Sequence, residues 1–131
     1  MKNNSTNTFR LYFEKKEKIP KIRRYSNHQL RSEDWSINDI YHRLDGPAYR
    51  EWYENGQPEC ESWVKNNKPH RIGGPAYQSW TEDGRVWAKE YYLNGKPYTE
   101  INYWKKLFKM SEQGKVEKTT DIVVNGLTAL I

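Results

Sequence analysis

The chain has 131 residues, a length that suits a single domain. Only 35% of its residues are hydrophobic, whereas 15% are aromatic, with 6 Trp and 10 Tyr. Aliphatic side chains therefore cannot fill a deep core, and large rings must supply much of the buried surface. This composition favours a thin β architecture and argues against disorder in the middle of the chain. The net charge of +5 is compatible with a nucleic-acid partner but does not require one.

The chain begins with a polar segment that is followed by two short apolar runs. Residues 9–13 and 19–25 are predicted to be strands joined by a charged turn at 14–18, and residues 1–13 form an N-terminal flank. The start of the chain lacks the apolar run of a signal peptide, and no segment approaches the roughly 20 apolar residues of a membrane span. We therefore expect a cytoplasmic protein without a membrane partner, which for a viral chain means the host cytoplasm.

An internal repeat of 28 residues organises the centre of the chain. Residues 42–69 and 70–97 align without a gap, and 12 of the 28 positions are identical. The same register reaches back to residues 14–41, which form a degenerate first copy, as expected of a terminal repeat. The sequence therefore predicts about three units over residues 14–98. Because each unit holds two strand-and-turn halves, the predicted fold class is mainly β, with an antiparallel β-meander sheet.

Turn signals separate the predicted strands of each unit. Asn-Gly and Asp-Gly pairs are strong hairpin signals, because such turns need positive φ angles. Hairpin turns are therefore predicted at Asn55-Gly56, Asp83-Gly84 and Asn94-Gly95. Equivalent aromatic residues of successive units should also stack in two ladders along the sheet. The first ladder contains Trp52 and Trp80, and the second contains Trp35, Trp63 and Tyr91.

The C-terminal flank, residues 99–131, is predicted to add one helix and a capping hairpin to the same single domain. The apolar residues of 101–110 fall on one helical face, which predicts a helix there. Residues 111–120 are polar and are predicted to be a loop. The apolar end, residues 121–131, is expected to form a hairpin around Asn125-Gly126 that caps the sheet.

Two sequence elements of the units resemble a known family of repeats. In residues 52–56, 80–84 and 91–96 an aromatic residue precedes Asn-Gly or Asp-Gly, which resembles MORN repeats and, more closely, the MORN-like variant of bacterial and viral proteins. The His-Arg-x-x-Gly-Pro-Ala element at 42–48 and 70–76 is similar to one in proteins of large tailed phages and giant viruses. The resemblance implies an antiparallel β-meander that serves as a scaffold or binding surface. By analogy it implies a phage or viral inhibitor of a host defence component, or an antitoxin or immunity-like partner.

The sequence offers little support for catalysis. It contains neither a phosphate-cradling glycine loop nor a nucleophile elbow. Cys60 is the single cysteine and is equivalent to Ala88 of the next unit, which indicates a small core residue. His28, His42 and His70 are 14 and 28 residues apart, a spacing that matches no compact metal motif. We therefore predict a non-enzymatic protein without a metal or other cofactor.

The repeated pairs His42-Arg43 and His70-Arg71 have two interpretations. An arginine can hold a phosphate or carboxylate by two parallel hydrogen bonds, so the pairs could form an anion clamp. Alternatively, each pair packs on a tryptophan and bonds to a turn carbonyl. We favour the structural interpretation, because a residue that recurs in every unit usually has the same structural role in each.

A partner protein is the expected ligand, because Tyr, Trp and Arg are enriched at interface hot spots and a repeat sheet presents them in rows. The basic residues of the flanks would form a rim around the exposed aromatic face. The alternative is a binder of single-stranded or duplex nucleic acid that uses the basic flanks and the aromatic face. The candidate binding residues are Tyr49, Arg50, Tyr77, Trp87, Arg23, Arg24, Lys105 and Lys106.

Overall fold

The computed structural model describes residues 19–131. The strand predicted at 9–13 and the turn predicted at 14–18 lie outside the described residues. Within residues 19–131 the chain forms a seven-stranded sheet, two two-stranded hairpins and two helices. The mainly β fold class and the antiparallel meander predicted from the sequence are confirmed.

The strands of the main sheet follow chain order, and every neighbouring pair is antiparallel. In chain order, the strands are β1 (Lys21–Arg24), β2 (Leu30–Asp34), β3 (Ser36–Ile37), β4 (Ile40–Tyr41), β5 (Tyr49–Trp52), β6 (Pro58–Ser62), β7 (Val64–Lys65), β8 (Lys68–Pro69), β9 (Tyr77–Trp80), β10 (Val86–Leu93) and β11 (Lys96–Tyr98). The main sheet has the order β1-β2-β5-β6-β9-β10-β11, and β3-β4 and β7-β8 are short hairpins between its strands.

The three predicted hairpin turns are confirmed. Asn55-Gly56 connects β5 to β6, Asp83-Gly84 connects β9 to β10, and Asn94-Gly95 connects β10 to β11. Asn94 and Gly95 both have positive φ angles, 49° and 83°, which is the combination that a type I′ turn requires. The turn chemistry of the sequence therefore sets where each strand ends.

Hydrogen bonds recur at intervals of 28 residues and join each unit to the next. Tyr25 Oη donates to Trp52 O at 2.7 Å, and Tyr53 Oη donates to Trp80 O at the same distance. Two asparagines repeat in the same way, since Asn27 Nδ2 donates to Glu54 O and Asn55 Nδ2 to Glu82 O, at 3.3 and 3.2 Å. The tip of each hairpin is therefore bonded to the tip of the following one.

The C-terminal part of the prediction is half correct. The helix predicted at 101–110 is confirmed as α1 (Glu100–Glu112), which begins after Thr99, whose side chain accepts from Asn102 N. The capping hairpin predicted at 121–131 is wrong, because a second helix, α2 (Thr120–Ala129), occupies that segment. The predicted loop is accordingly shorter, running from 113 to 119. Neither helix is long enough to cross a membrane.

Gly126 explains why the Asn-Gly pair near the C-terminus does not form a turn. It lies inside α2 and is buried against α1, where a Cβ atom added to it would lie 2.5 Å from Phe108 Cβ. The glycine therefore allows the two helices to approach closely. An Asn-Gly pair can form a turn or, as here, allow a helix to pack closely. Burial of Ile122 beneath α1 favours the helix.

The core lies at the C-terminal end of the sheet, where α1 packs on β10. Its fully or nearly buried members are Tyr91, Leu93, Tyr103, Trp104, Leu107 and Ile122. Because side chains alternate along a strand, Lys89 lies on the same side of β10 as Tyr91 and Leu93, and Ala88 and Glu90 lie on the other. We call the side that α1 covers the helix face and the opposite side the groove face.

Tyr103 ties α1 to the last connection between repeat units. Its side chain is completely buried, and its hydroxyl donates to Arg71 O. The same oxygen accepts from the backbone of Gly73 at 2.9 Å and of Gly74 at 3.1 Å. One hydroxyl therefore satisfies three backbone groups of the connection.

We expect Tyr103→Phe to lower the free energy of unfolding by about 1–3 kcal/mol, because it leaves buried backbone groups without partners. Urea denaturation measures this change. Tyr98→Phe is the matched control, since Tyr98 packs against the same core and its hydroxyl has no hydrogen-bond partner among the described residues. Equal stability of the two variants would contradict the role assigned to the Tyr103 hydroxyl.

Candidate binding groove on the sheet

A groove of about 460 Å³ crosses the groove face of the sheet over β5, β6, β9 and β10. Aromatic side chains line it, namely Tyr53, Tyr77, Trp80 and Trp87. Three carboxylates also line it, those of Glu51, Glu59 and Glu82. Among the described residues that form the groove there is no lysine or arginine, so its walls are both aromatic and acidic.

Two β-bulges help to build the groove. In β6 the pairing with β5 skips Glu59, and in β10 the pairing with β9 skips Trp87. These positions are 28 residues apart, and Arg31 is skipped in the same way where β2 pairs with β1. A bulge leaves its extra residue unpaired and redirects its side chain. The repeat therefore presents one such side chain per unit, and Trp87 remains 78% exposed.

The pKa of Glu59 reflects the acidic character of the groove. Burial raises the pKa of Glu59 above its usual value, and the negative charges of Glu51 and Glu82 raise it further. A carboxylate in this state is stabilised by any cation that approaches it. The groove is thus an environment in which a positive charge from outside would be favoured.

Tyr49 and Glu51 form a hydrogen-bonded pair beside the groove. The Tyr49 hydroxyl donates to Glu51 Oε1, and its pKa is raised by burial and then by this carboxylate. The Tyr49 ring also contacts the Tyr41 ring edge-on, with centroids 6.0 Å apart. Tyr49 therefore orients one of the carboxylates of the groove, although it does not line the groove itself.

The predicted binding residues do not all lie together. Tyr77 and Trp87 line the groove. Arg50 is on the helix face, because it alternates with Tyr49 and Glu51, and there it pairs with Glu61 at 3.6 Å and lies over Trp52. The other basic residues are exposed at the two ends of the sheet, Arg23 and Arg24 on β1 and Lys105 and Lys106 on α1.

The groove carboxylates are the candidate binding residues that sequence reasoning missed. Glu51 lies two residues after Tyr49 on the same strand, so the sequence alone predicts that both side chains lie on the same face. The bulge that exposes Glu59 was not, because nothing in the local sequence distinguishes a bulge from a paired residue. As a result, the acidic wall was unforeseen and a basic rim was expected in its place.

The packing that the structural interpretation predicts for the arginines of the His-Arg pairs is observed, whereas the anion-clamp interpretation stays a prediction. Arg43 lies over the Trp35 ring and Arg71 over the Trp63 ring, each with Cζ 4.1 Å from the centroid. Their Nη1 atoms donate to the carbonyls of Pro47 and Pro75 respectively. In both units the histidine Nδ1 accepts from a turn backbone, His42 from Asn66 N at 3.1 Å and His70 from Asn94 N at 2.9 Å.

The predicted aromatic ladders are not stacks of directly touching tryptophans. Within residues 19–131 the ring–ring contacts join Tyr41 to Tyr49, Tyr91 to Tyr103 and Tyr103 to Trp104. In the second ladder, Trp35 and Trp63 are each covered by an arginine and Tyr91 by α1, instead of by the next ring of the row. A strand-to-strand stack therefore does not hold the sheet together.

The chemistry of Cys60 and of the acidic residues is limited. Burial, followed by the charges of Glu51 and Glu59, raises the pKa of the Cys60 thiol to about 11. Cys60 is consequently a neutral thiol near pH 7, and its Sγ donates to Glu51. Among residues 19–131 no cluster of three or more His, Cys, Asp or Glu side chains could hold a metal ion.

Comparisons with known proteins find no matching family model, no similar curated protein and no similar solved structure. The resemblance to MORN-like repeats accordingly stays a prediction.

We expect Cys60 in the native protein to react with a thiol reagent at pH 8 about tenfold or more slowly than in urea, because the thiolate is the reactive form. Unfolding returns the pKa to about 8.5, so the urea sample has far more thiolate at this pH. The native rate should rise steeply as the pH approaches 11. Equal rates for native and unfolded protein at pH 8 would show that the thiol is not protected.

Proposed function

We propose that this protein is a non-enzymatic module that binds a partner protein by receiving a cationic side chain of that partner in the groove. The observation that carries this proposal is the exposed Trp87 ring beside three carboxylates, with no basic side chain among the described groove residues. An arginine or lysine of the partner would fill this place. The protein then acts by occupying a basic surface of its partner.

The chemistry of the groove favours a cation in two ways. A guanidinium or ammonium group is attracted to the face of a tryptophan ring, most strongly where water is excluded. Charge-assisted hydrogen bonds to carboxylates are shorter and stronger than neutral ones. A bound cation would also offset the mutual repulsion of Glu51, Glu59 and Glu82, which together with burial, the larger cause, raises the pKa of Glu59.

The shape of the groove suits a protein partner better than a small substrate. It is a shallow depression across four strands, flanked by large aromatic side chains of the kind that are enriched at interface hot spots. Because the repeat units resemble those of phage and viral proteins, we propose a host defence component with a basic surface as the first partner to test. An antitoxin-like role would use the same groove against a basic toxin.

Nucleic-acid binding is the second candidate, and a different surface favours it. A cleft of about 560 Å³ between β11 and α1 is lined by Lys96, Lys105, Lys106 and Lys109, together with Tyr98. Four lysines beside a half-buried tyrosine ring form a surface that suits phosphate groups. The affinity of a duplex or single strand bound there would fall steeply as the salt concentration rises. Binding of a partner protein at the groove would not require nucleic acid.

A short arginine-containing peptide tests the groove directly, with an acidic peptide of equal length as the negative probe. We expect the basic peptide alone to change Trp fluorescence. Trp87→Ala should weaken its binding by about fivefold or more, as for a hot-spot residue. Glu82→Gln should weaken it by about two- to fivefold, the effect of one exposed charge pair.

Glu54→Gln is the matched control, because Glu54 occupies the position equivalent to Glu82 one unit earlier but does not line the groove. The Glu54→Gln variant should bind the basic peptide as tightly as the unaltered protein does. Equal effects of Glu54→Gln and Glu82→Gln would mean that the peptide responds only to overall charge, and the proposed site would be wrong. Tighter binding of the acidic peptide would contradict the proposal altogether.

A further inference from the structure

The two Arg-on-Trp units of the sheet differ in how their polar groups are satisfied. In the earlier unit, the Glu33 carboxylate accepts from Trp35 Nε1 at 2.7 Å and from Arg43 Nη1 at 3.2 Å. Asp45 accepts from Arg43 Nε at 3.0 Å. One carboxylate therefore bridges the indole and the guanidinium, and a second completes the pairing of the arginine.

The later unit has lost both of these carboxylate contacts. Glu61, the residue equivalent to Glu33, pairs with Arg50 at 3.6 Å, and Gly73 stands where the earlier unit has Asp45. Trp63 Nε1 is buried and has no hydrogen-bond partner. Arg71 donates to Pro75 O but forms no ion pair among the described residues.

A cavity of about 210 Å³ opens at this incomplete unit. It is lined by Trp63, Arg71, His70 and Lys65, and by Arg43 and Leu44 of the preceding connection. No carboxylate is among the described residues that line it, so the cavity is cationic. Arg71 and His70 are half-buried, and burial lowers the pKa of each, although the charge of the nearby Glu61 opposes this effect at Arg71.

We propose that this cavity is a carboxylate-binding site, in which a carboxylate from outside the chain takes the bridging place that Glu33 fills in the earlier unit. One oxygen would accept from both Trp63 Nε1 and the guanidinium of Arg71, as Glu33 Oε1 does in the earlier unit, while Lys65 adds a positive charge at the mouth. Arginine offers five N–H donors, and the bond to Pro75 O uses one of them. The site is independent of the groove, since Trp63 and Arg71 lie on the opposite, helix face of the sheet.

The earlier unit shows why the ligand is a carboxylate. Its indole N–H and its guanidinium share one carboxylate oxygen, Glu33 Oε1, and a second carboxylate, that of Asp45, also accepts from the guanidinium. The same two donor groups are present in the later unit without either carboxylate. A carboxylate source can be an acidic side chain, a chain terminus of a partner or a small organic acid. All three present the same two oxygens.

Titration with sodium acetate at constant ionic strength, kept by sodium chloride, tests the site in the full-length protein. The readout is the ¹H–¹⁵N resonance of each tryptophan indole. We expect the Trp63 indole proton to move downfield and to saturate, because it gains a hydrogen bond to an anion. The resonance of the Trp35 indole proton should not shift, since this proton is already hydrogen-bonded to Glu33.

Two variants make the outcome decisive without altering Trp63 or Arg71. Lys65→Gln removes an exposed charge and should weaken acetate binding by about two- to fivefold. Among the described residues, Glu61 carries a carboxylate that could turn from Arg50 to Trp63; Glu61→Gln removes it, and acetate should still bind to this variant. A Trp63 resonance that does not respond to acetate in the unaltered protein but moves upfield in Glu61→Gln would show that Glu61 fills the site, which would overturn the proposal.

Three further probes identify the source of the carboxylate and test its chemistry. A peptide with blocked termini and a single glutamate tests a side chain, and a neutral peptide with a free C-terminus tests a chain terminus. Saturation by either peptide at lower concentration than acetate would assign the site to a partner protein. Inorganic phosphate that saturates the Trp63 shift at lower concentration than every carboxylate would overturn the assignment to a carboxylate.

Discussion

The architecture depends on an arginine that is held between a tryptophan ring and a glycine in two successive units. Arg43 lies over Trp35, and a Cβ atom added to Gly46 would lie 2.6 Å from its Cζ. Arg71 lies over Trp63 in the same way, with the corresponding distance to Gly74 being 2.8 Å. The guanidinium also donates to the carbonyl oxygen of the proline that follows the glycine, which further fixes the connection between units.

This contact fixes how the chain enters each new pair of strands. The alanine after the proline is completely or almost completely buried, as Ala48 and Ala76 show. Ala48 donates to Ser62 O and accepts from Trp35 N, and Ala76 donates to Glu90 O and accepts from Trp63 N. Because a shift of one residue would reverse every side chain between the two faces, this anchored entry determines which residues reach the groove.

The same repeat supplies two surfaces of opposite charge. On the groove face, the bulged positions and the alternating strand residues bring carboxylates and rings together, around Trp87. On the helix face, the arginines lie over the tryptophans, and the unit at Trp63 is left with unpaired donors. We propose that a cation binds to the first surface and a carboxylate to the second, which would allow one partner to be held from both sides or two partners to be joined.

The turns, the strand order and α1 could be predicted because their signals are local. Asn-Gly and Asp-Gly impose positive φ, and the apolar periodicity of 101–110 identifies a helix without reference to the rest of the chain. The helix α2 could not be predicted in this way, since Gly126 serves a contact with Phe108 that exists only after α1 has docked. The acidity of the groove could not be predicted either, because its three carboxylates come from different parts of the chain. Glu51 lies on β5, Glu59 lies at the bulge of β6, and Glu82 lies in the turn after β9. The Arg-on-Trp packing, by contrast, was foreseen from repetition alone.

The free energy of unfolding of Gly74→Ala tests the central claim most directly. Gly74 is buried and does not have a φ angle in the left-handed region, so alanine meets no backbone strain there. If Arg71 is held against this glycine, the added methyl group must displace the guanidinium from Trp63, and we expect a loss of about 1–3 kcal/mol in urea denaturation, as for other overpacked sites. If the contact is unimportant, alanine should instead raise the stability by about 0.4–1 kcal/mol through the unfolded chain, and such a gain would contradict the account.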